Sequence, residues 1–99
     1  MKIDYDSEAD AISIQLCPFE HFDHGEQVDG DFCNVGTVNG KVVEVELLSP
    51  AKHLDLLRLA ADRYGLDGTA LLSAARAGLA APDRLVTVEV GASLLEKVA

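Results

Sequence analysis

The chain has 99 residues, 48% of them hydrophobic, and its 8 basic and 17 acidic side chains give a formal net charge of −9. This length fits a single domain over residues 1–99, the composition excludes disordered, collagen-like and coiled-coil proteins, and the negative charge opposes unaided binding to nucleic acid. Because no apolar run approaches the roughly 20 residues of a membrane span and the first residues lack the pattern of a secretory signal, we expect a cytoplasmic protein that contacts no membrane.

Residues 2–16 alternate apolar and polar side chains on either side of a polar turn, Asp6-Ser7-Glu8-Ala9. Alternation with a period of two predicts a β-hairpin. The next segment, residues 18–31, is rich in acids and histidine and has no periodicity, so we predict a loop without secondary structure.

A second hairpin is predicted in residues 32–48, where two β-rich runs flank the dipeptide Asn39-Gly40. Both residues tolerate the positive φ angles of a type I′ turn. The second run alternates apolar residues with glutamates: Val43, Glu44, Val45, Glu46 and Leu47. This alternation predicts a sheet with one face in water. Residues 1–48 are therefore expected to form two β-hairpins.

Residues 49–81 are predicted to form a helical hairpin. Ser49-Pro50 is typical of a helix start, because proline lacks only a backbone donor that the first turn does not need. Gly65 is typical of a helix end, because glycine accepts a left-handed conformation. Asp67 is suited to cap a second helix that continues to about Ala81.

The chain is predicted to end with a strand at residues 84–90, which joins the same sheet or that of a partner, and a tail at 91–99. The predicted fold class is α+β: an antiparallel sheet of two β-hairpins, an αα-hairpin packed on it, and a C-terminal strand.

The second predicted helix has almost no polar face, since Arg76 is the one charged residue between Ala70 and Ala81. A helix that is apolar on nearly all sides must be covered by more than one neighbour. We therefore expect a homo-oligomer, with a dimer favoured. Its expected interface residues are Ala70, Leu71, Ala74, Ala77 and Gly78. The alternative is that the sheet, the first helix and the tail cover this helix.

Two cysteines and two histidines follow the first hairpin at the spacing Cys-x3-His-x2-His-x8-Cys. They are Cys17, His21, His24 and Cys33. Zinc takes four nitrogen and sulfur ligands in structural sites, so these residues form a candidate metal site. The alternative is a solvated acidic loop in which Cys33 is a buried thiol. In a reducing cytosol both cysteines are expected to be free.

No motif for enzyme catalysis is present. The chain lacks a nucleophile elbow, a phosphate-binding glycine loop and a His-Glu-x-x-His helix, so we expect no enzyme. Residues 54–79 have the outline of a helix-turn-helix, but the second helix offers few of the polar and basic side chains that read DNA. We expect no binding to nucleic acid by the chain itself.

The start of the chain, Tyr5-Asp6-Ser7-Glu8-Ala9-Asp10-Ala11, resembles the Tyr-Asp-x-x-x-Asp-Ala hairpin of a small bacterial family whose chemistry is unassigned. Residues 39–49 resemble that family's second hairpin, so the likeness covers about the first half of the chain. The resemblance implies a fold. It also implies an antitoxin-like role, because members of this family are suspected of pairing with basic, ribonuclease-like toxins.

Charge and resemblance together predict a non-catalytic, acidic interaction module that neutralises a basic protein partner. The expected contact is the acidic loop or the C-terminal half of the chain, and association is expected to weaken with salt. The alternative function is that of a small metal-binding or ligand-binding protein that uses the Cys/His loop.

Overall fold

Six strands form one antiparallel sheet in the computed structural model, which describes residues 1–88. The strands are β1 (Lys2–Asp6), β2 (Ala11–Gln15), β3 (His24–Gln27), β4 (Cys33–Val38), β5 (Lys41–Leu48) and β6 (Leu85–Thr87). Their order in the sheet is β3-β4-β5-β2-β1-β6. The two hairpins therefore join through β5 and β2. With two helices packed on this sheet, the predicted α+β fold class is confirmed.

The hairpin turns follow the sequence signals. Strands β1 and β2 pair with Ile3 opposite Ile14, and residues 7–10 form the turn between them. Asn39 and Gly40 have φ angles of 51° and 80°, so both residues adopt the positive values of the predicted type I′ turn.

Helices α1 (Leu54–Tyr64) and α2 (Gly68–Ala80) follow a short 3-10 turn at Pro50–Lys52. Ser49 does not start α1 as predicted, because it adopts a left-handed conformation and its side chain makes no capping hydrogen bond. The first helix therefore begins later than the sequence indicated. Asp67 caps α2 as predicted, and its Oδ1 accepts a hydrogen bond from the Ala70 amide at 3.1 Å.

The predicted loop of residues 18–31 contains a strand. His24 pairs with Thr37 and Gln27 with Asn34, which makes β3 an edge strand beside β4. All four residues of β3 are exposed, so they carry none of the apolar alternation by which a strand is recognised in a sequence. The prediction of a structureless loop was wrong for this part of the segment.

Strand β6 joins the sheet of its own chain. Val86 pairs with Ile3, and the amide of Asp83 donates to the Tyr5 carbonyl at 2.8 Å as the chain enters this strand. Residues 89 and 90 of the predicted strand, and the predicted tail at 91–99, lie outside the described residues.

The core lies between the sheet and the two helices. Its fully buried members include Ile3, Ile12, Ile14, Cys33, Val35, Val45, Leu47, Leu57, Ala60, Ala61, Ala74 and Ala75. Helix α2 packs on β1 and β2, and α1 packs on β4 and β5. Neither α1 nor α2 packs on the opposite face of the sheet. Neither α1 nor α2 is long and apolar enough to cross a membrane.

Candidate functional site

The residues predicted for a dimer interface belong largely to the core of one chain. Leu71, Ala74 and Gly78 are buried under α2, where Gly78 lies against Ile3 and Ile12 of the sheet. Ala70 and Ala77 are half-buried, and the exposed side of the helix carries Thr69, Ser73, Arg76 and Ala80. The sheet and α1 thus supply the cover that the sequence analysis assigned to a second copy. The expectation of a dimer gains no support from these residues.

The four residues predicted to bind zinc do not converge. The Cys33 side chain is buried in the core, whereas His24 lies opposite Thr37, four residues further along β4 and so about 13 Å away along the strand. His24 Nε2 lies 3.6 Å from Glu26 Oε2 instead. Within residues 1–88, no group of three His, Cys, Asp or Glu side chains is placed to hold a metal ion. The zinc hypothesis therefore rests on ligand types alone.

Three acids of the segment at 18–31 hold that segment in place. Asp23 Oδ2 accepts from the Asn39 amide at 3.1 Å, and Asp31 Oδ1 accepts from Gln27 Nε2 at 3.1 Å. Glu26 accepts a hydrogen bond from the Tyr64 hydroxyl at the end of α1, and this bond lowers the pKa of Glu26. These carboxylates are already engaged within the chain, which makes them weaker candidates for a partner's contact.

A second group of acids lies on the face of the sheet opposite α1 and α2. The register places Asp4 beside Ser13, and Ser13 beside Glu46. Glu44 lies two residues from Glu46 on β5, and its side chain points to the same face. We call this surface the acidic face; its carboxylates are those of Asp4, Asp6, Glu44 and Glu46.

Lys2 lies on the same face of the sheet, two residues from Asp4 on β1, but it forms no ion pair with the carboxylates of the acidic face. Among residues 1–88, no Lys, Arg or His lies within ion-pair distance of any of the four. Burial, followed by repulsion from Glu46, raises the pKa of Glu44, although the Ser13 hydroxyl has a smaller, opposite effect. Asp6 also holds the β1–β2 turn, since its Oδ1 accepts from the amides of Glu8 and Ala9. The other three carboxylates outnumber Lys2, so the described part of this face carries a net negative charge.

Two shallow depressions give the acidic face its shape. One, of about 280 Å³, is lined by Asp4, Asp6, Ser13 and Glu46. The other, of about 190 Å³, is lined by Glu44, Glu46, Asn34 and Phe22. Because the two share Glu46, they form a continuous surface of carboxylates with an aromatic ring at one end.

The position of this ring depends on a glycine in β4. A β-carbon at Gly36 would lie 2.8 Å from Cγ and Cδ1 of Phe22, so the ring rests directly on the Gly36 backbone. Phe22 nevertheless stays 45% exposed, and its ring also lies 6.1 Å from that of Phe19. The face therefore offers a partner an apolar contact beside its charges.

The acidic face as a unit is not evident from the sequence. The alternation predicted that Glu44 and Glu46 lie on a wet face, but the pairing of β2 with β5 that brings them near Asp4 leaves no local signal. No family model, curated protein or solved structure matches this chain.

Proposed function

We propose that this protein is a non-catalytic interaction module whose acidic face binds a cationic surface of a partner protein. One observation carries the proposal: Asp4, Glu44 and Glu46 share the sheet face on which neither α1 nor α2 packs, and no cation among residues 1–88 forms an ion pair with them. Two of these carboxylates are half-buried, so a partner's cation would bind them in partly desolvated surroundings, where ion pairs are stronger than in bulk water.

The shape of the face suits arginine and lysine side chains. A guanidinium bonds two carboxylate oxygens at once, and the depression between Asp4 and Glu46 is of side-chain size. A second cation can lie against the exposed ring of Phe22 beside Glu44, because aromatic rings attract cations over their faces. The face thus combines charge with a contact that salt screens only weakly.

Long-range charge supports the same kind of partner. The net charge of −9 accelerates the encounter with a basic surface and slows the encounter with nucleic acid, over a screening length of about 8 Å at physiological ionic strength. The resemblance of residues 5–11 and 39–49 to a family suspected of antitoxin function favours a basic toxin as the partner. In this proposal the acidic face, rather than the loop at 18–31, makes the main contact.

The test compares two triple variants with the same change in net charge. The face variant is Asp4→Asn, Glu44→Gln, Glu46→Gln. The control variant, Glu8→Gln, Asp29→Asn, Asp55→Asn, removes exposed acids from elsewhere. Proteins retained by the immobilised wild-type chain from its source cells are identified, and association rates of the retained protein are measured over a range of salt concentrations.

We expect a basic partner whose association slows about tenfold with the face variant, with a flatter salt dependence. The control variant should show a much smaller decrease in the association rate. Equal effects of the two variants would show that net charge alone acts, and a partner without a basic surface would contradict the proposal. Circular dichroism spectra must confirm that both variants remain folded.

A further inference from the structure

A second concave surface lies at the end of the sheet, where Phe19 separates it from the Phe22 ring of the acidic face. It is a groove of about 660 Å³ between the segment that follows β2 and the β4–β5 turn. Its apolar wall contains Phe19, Val38 and Val43, and its charged groups are Glu20, Lys41 and, when protonated, His21. This volume is within the range of small-molecule sites, which are mostly apolar with a few placed polar groups.

Backbone hydrogen bonds hold the two sides of the groove together. The Leu16 amide donates to the Val43 carbonyl at 2.8 Å, and the Asp23 amide donates to the Thr37 carbonyl at 2.9 Å. The Asp23 side chain accepts from the Asn39 amide in the turn itself. The segment that forms one wall is therefore fixed at both ends, so the groove exists before a ligand arrives and binding costs little ordering.

The two full charges of the groove are opposite in sign and unpaired within the described chain. Glu20 and Lys41 both line it, yet they form no ion pair with each other or with any other residue among 1–88. A purely anionic ligand would satisfy Lys41 and leave Glu20 unpaired, and a purely cationic one would do the reverse. A ligand that carries both charges on an apolar body complements the whole groove.

We propose that this groove binds a zwitterion with an apolar side chain, the chemistry of a free amino acid or a short peptide. The carboxylate of the ligand pairs with Lys41, its ammonium group pairs with Glu20, and its side chain contacts Phe19 and Val43. This site does not depend on the proposed function, because none of its residues belongs to the acidic face.

Calorimetric titration with two zwitterions tests the proposal and distinguishes a free amino acid from a short peptide as the ligand. L-Phenylalanine represents a free amino acid, and L-leucyl-L-phenylalanine a short peptide whose charges are further apart. N-acetylphenylalanine and phenylalaninamide each carry one of the two charges. We expect saturable binding of at least one zwitterion. Both single-charge analogues should bind more weakly, by about tenfold or more.

Charge variants locate the site. Lys41→Gln and Glu20→Gln should each weaken binding of the zwitterion about tenfold. The matched controls, Lys52→Gln and Glu8→Gln, change exposed charges outside the groove and should leave the affinity unchanged. If Glu20→Gln has no effect and N-acetylphenylalanine binds as well as phenylalanine, the ligand is an anion and the proposal is wrong.

The thiol of Cys17 gives an independent measure of occupancy, since it lines the groove. At a concentration near the dissociation constant of the wild type, the zwitterion should slow alkylation of Cys17 by iodoacetamide in the wild type and in the control variants, and should slow it far less in Lys41→Gln. Absence of saturable binding by either zwitterion at millimolar concentration, together with an unchanged rate of alkylation, would overturn the proposal.

Discussion

A β-carbon added to Gly78 would lie 2.5 Å from Cγ2 of Ile3, because helix α2 lies directly on strand β1. The same added carbon would lie 2.8 Å from Cδ1 of Ile12 on the neighbouring strand. The small residues of α2 therefore serve the approach of the helix to the sheet of its own chain. This relationship makes Gly78 a sensitive position for stability.

We predict that Gly78→Ala destabilises the fold. Alanine favours a helix by about 1 kcal/mol over glycine, but forcing a methyl group into a packed contact costs about 1–3 kcal/mol, and two branched side chains would have to move here. Urea denaturation measures the balance. Ser73→Ala on the exposed side of the same helix is the control and should change stability little. A Gly78→Ala variant as stable as the wild type would show that α2 lies further from the sheet.

The cap of α2 supports a second prediction. Asp67→Ala removes the acceptor for the Ala70 amide and should lower the free energy of unfolding by about 1 kcal/mol. Asp67→Asn keeps an acceptor oxygen and should retain most of the stability. Thermal or urea unfolding of the two variants gives the comparison, and equal losses would mean that the charge, rather than the hydrogen bond, stabilises the helix start.

The raised pKa of Glu44 predicts a pH-dependent effect. A carboxyl group whose pKa is higher in the folded than in the unfolded chain favours folding when protonated, and this contribution disappears as the pH rises through the folded pKa. Glu44→Gln should therefore stabilise the protein at neutral pH, and the gain should vanish below the ordinary pKa of glutamate. Urea denaturation at several pH values measures this.

Removal of the neighbouring charge provides the control for Glu44. Glu46→Gln should lower the pKa of Glu44 toward its ordinary value, because repulsion from Glu46 is one of the two causes that raise it. NMR titration of the Glu44 carboxyl carbon reports this directly. If the pKa of Glu44 did not respond to Glu46→Gln, the two carboxylates would not interact, which would weaken the proposal that they act together on the acidic face.

The two cysteines should differ in reactivity. Cys17 is partly exposed, whereas Cys33 is buried in the core, and burial raises the pKa of the Cys33 thiol to about 11. In the native protein at neutral pH, a thiol reagent should therefore react with Cys17 alone, and both thiols should react after denaturation in guanidinium. If both thiols were protected and a chelator abolished that protection, the result would instead support the zinc hypothesis.

Local signals were sufficient for much of the fold. The β1–β2 alternation, the Asn39-Gly40 turn and the Asp67 cap each depend on residues close together in the chain, and the structure confirms them. The start of α1 was wrong because Ser49 has the composition of a cap but adopts a left-handed backbone. The pattern of residue types did not reveal that conformation.

The candidate sites depend on contacts that local patterns do not encode. The acidic face requires β2 to pair with β5, and the groove requires the segment near Phe19 to lie beside the β4–β5 turn. The apolar character of α2 was read correctly, but the sequence alone could not show whether the covering surface belonged to the same chain. A second copy and the chain's own sheet satisfy the same pattern.

The position of β6 has a consequence for the order of folding. Ile3 pairs with Val86, so the outer edge of β1 is closed by residues made long after it. The cost of closing a loop grows with the logarithm of its length, and hairpins formed from neighbouring residues precede such distant pairings. During synthesis, the outer edge of β1 stays unpaired until residues 85–87 have left the ribosome. That interval is when a nascent chain is most exposed to strand-to-strand association with other chains.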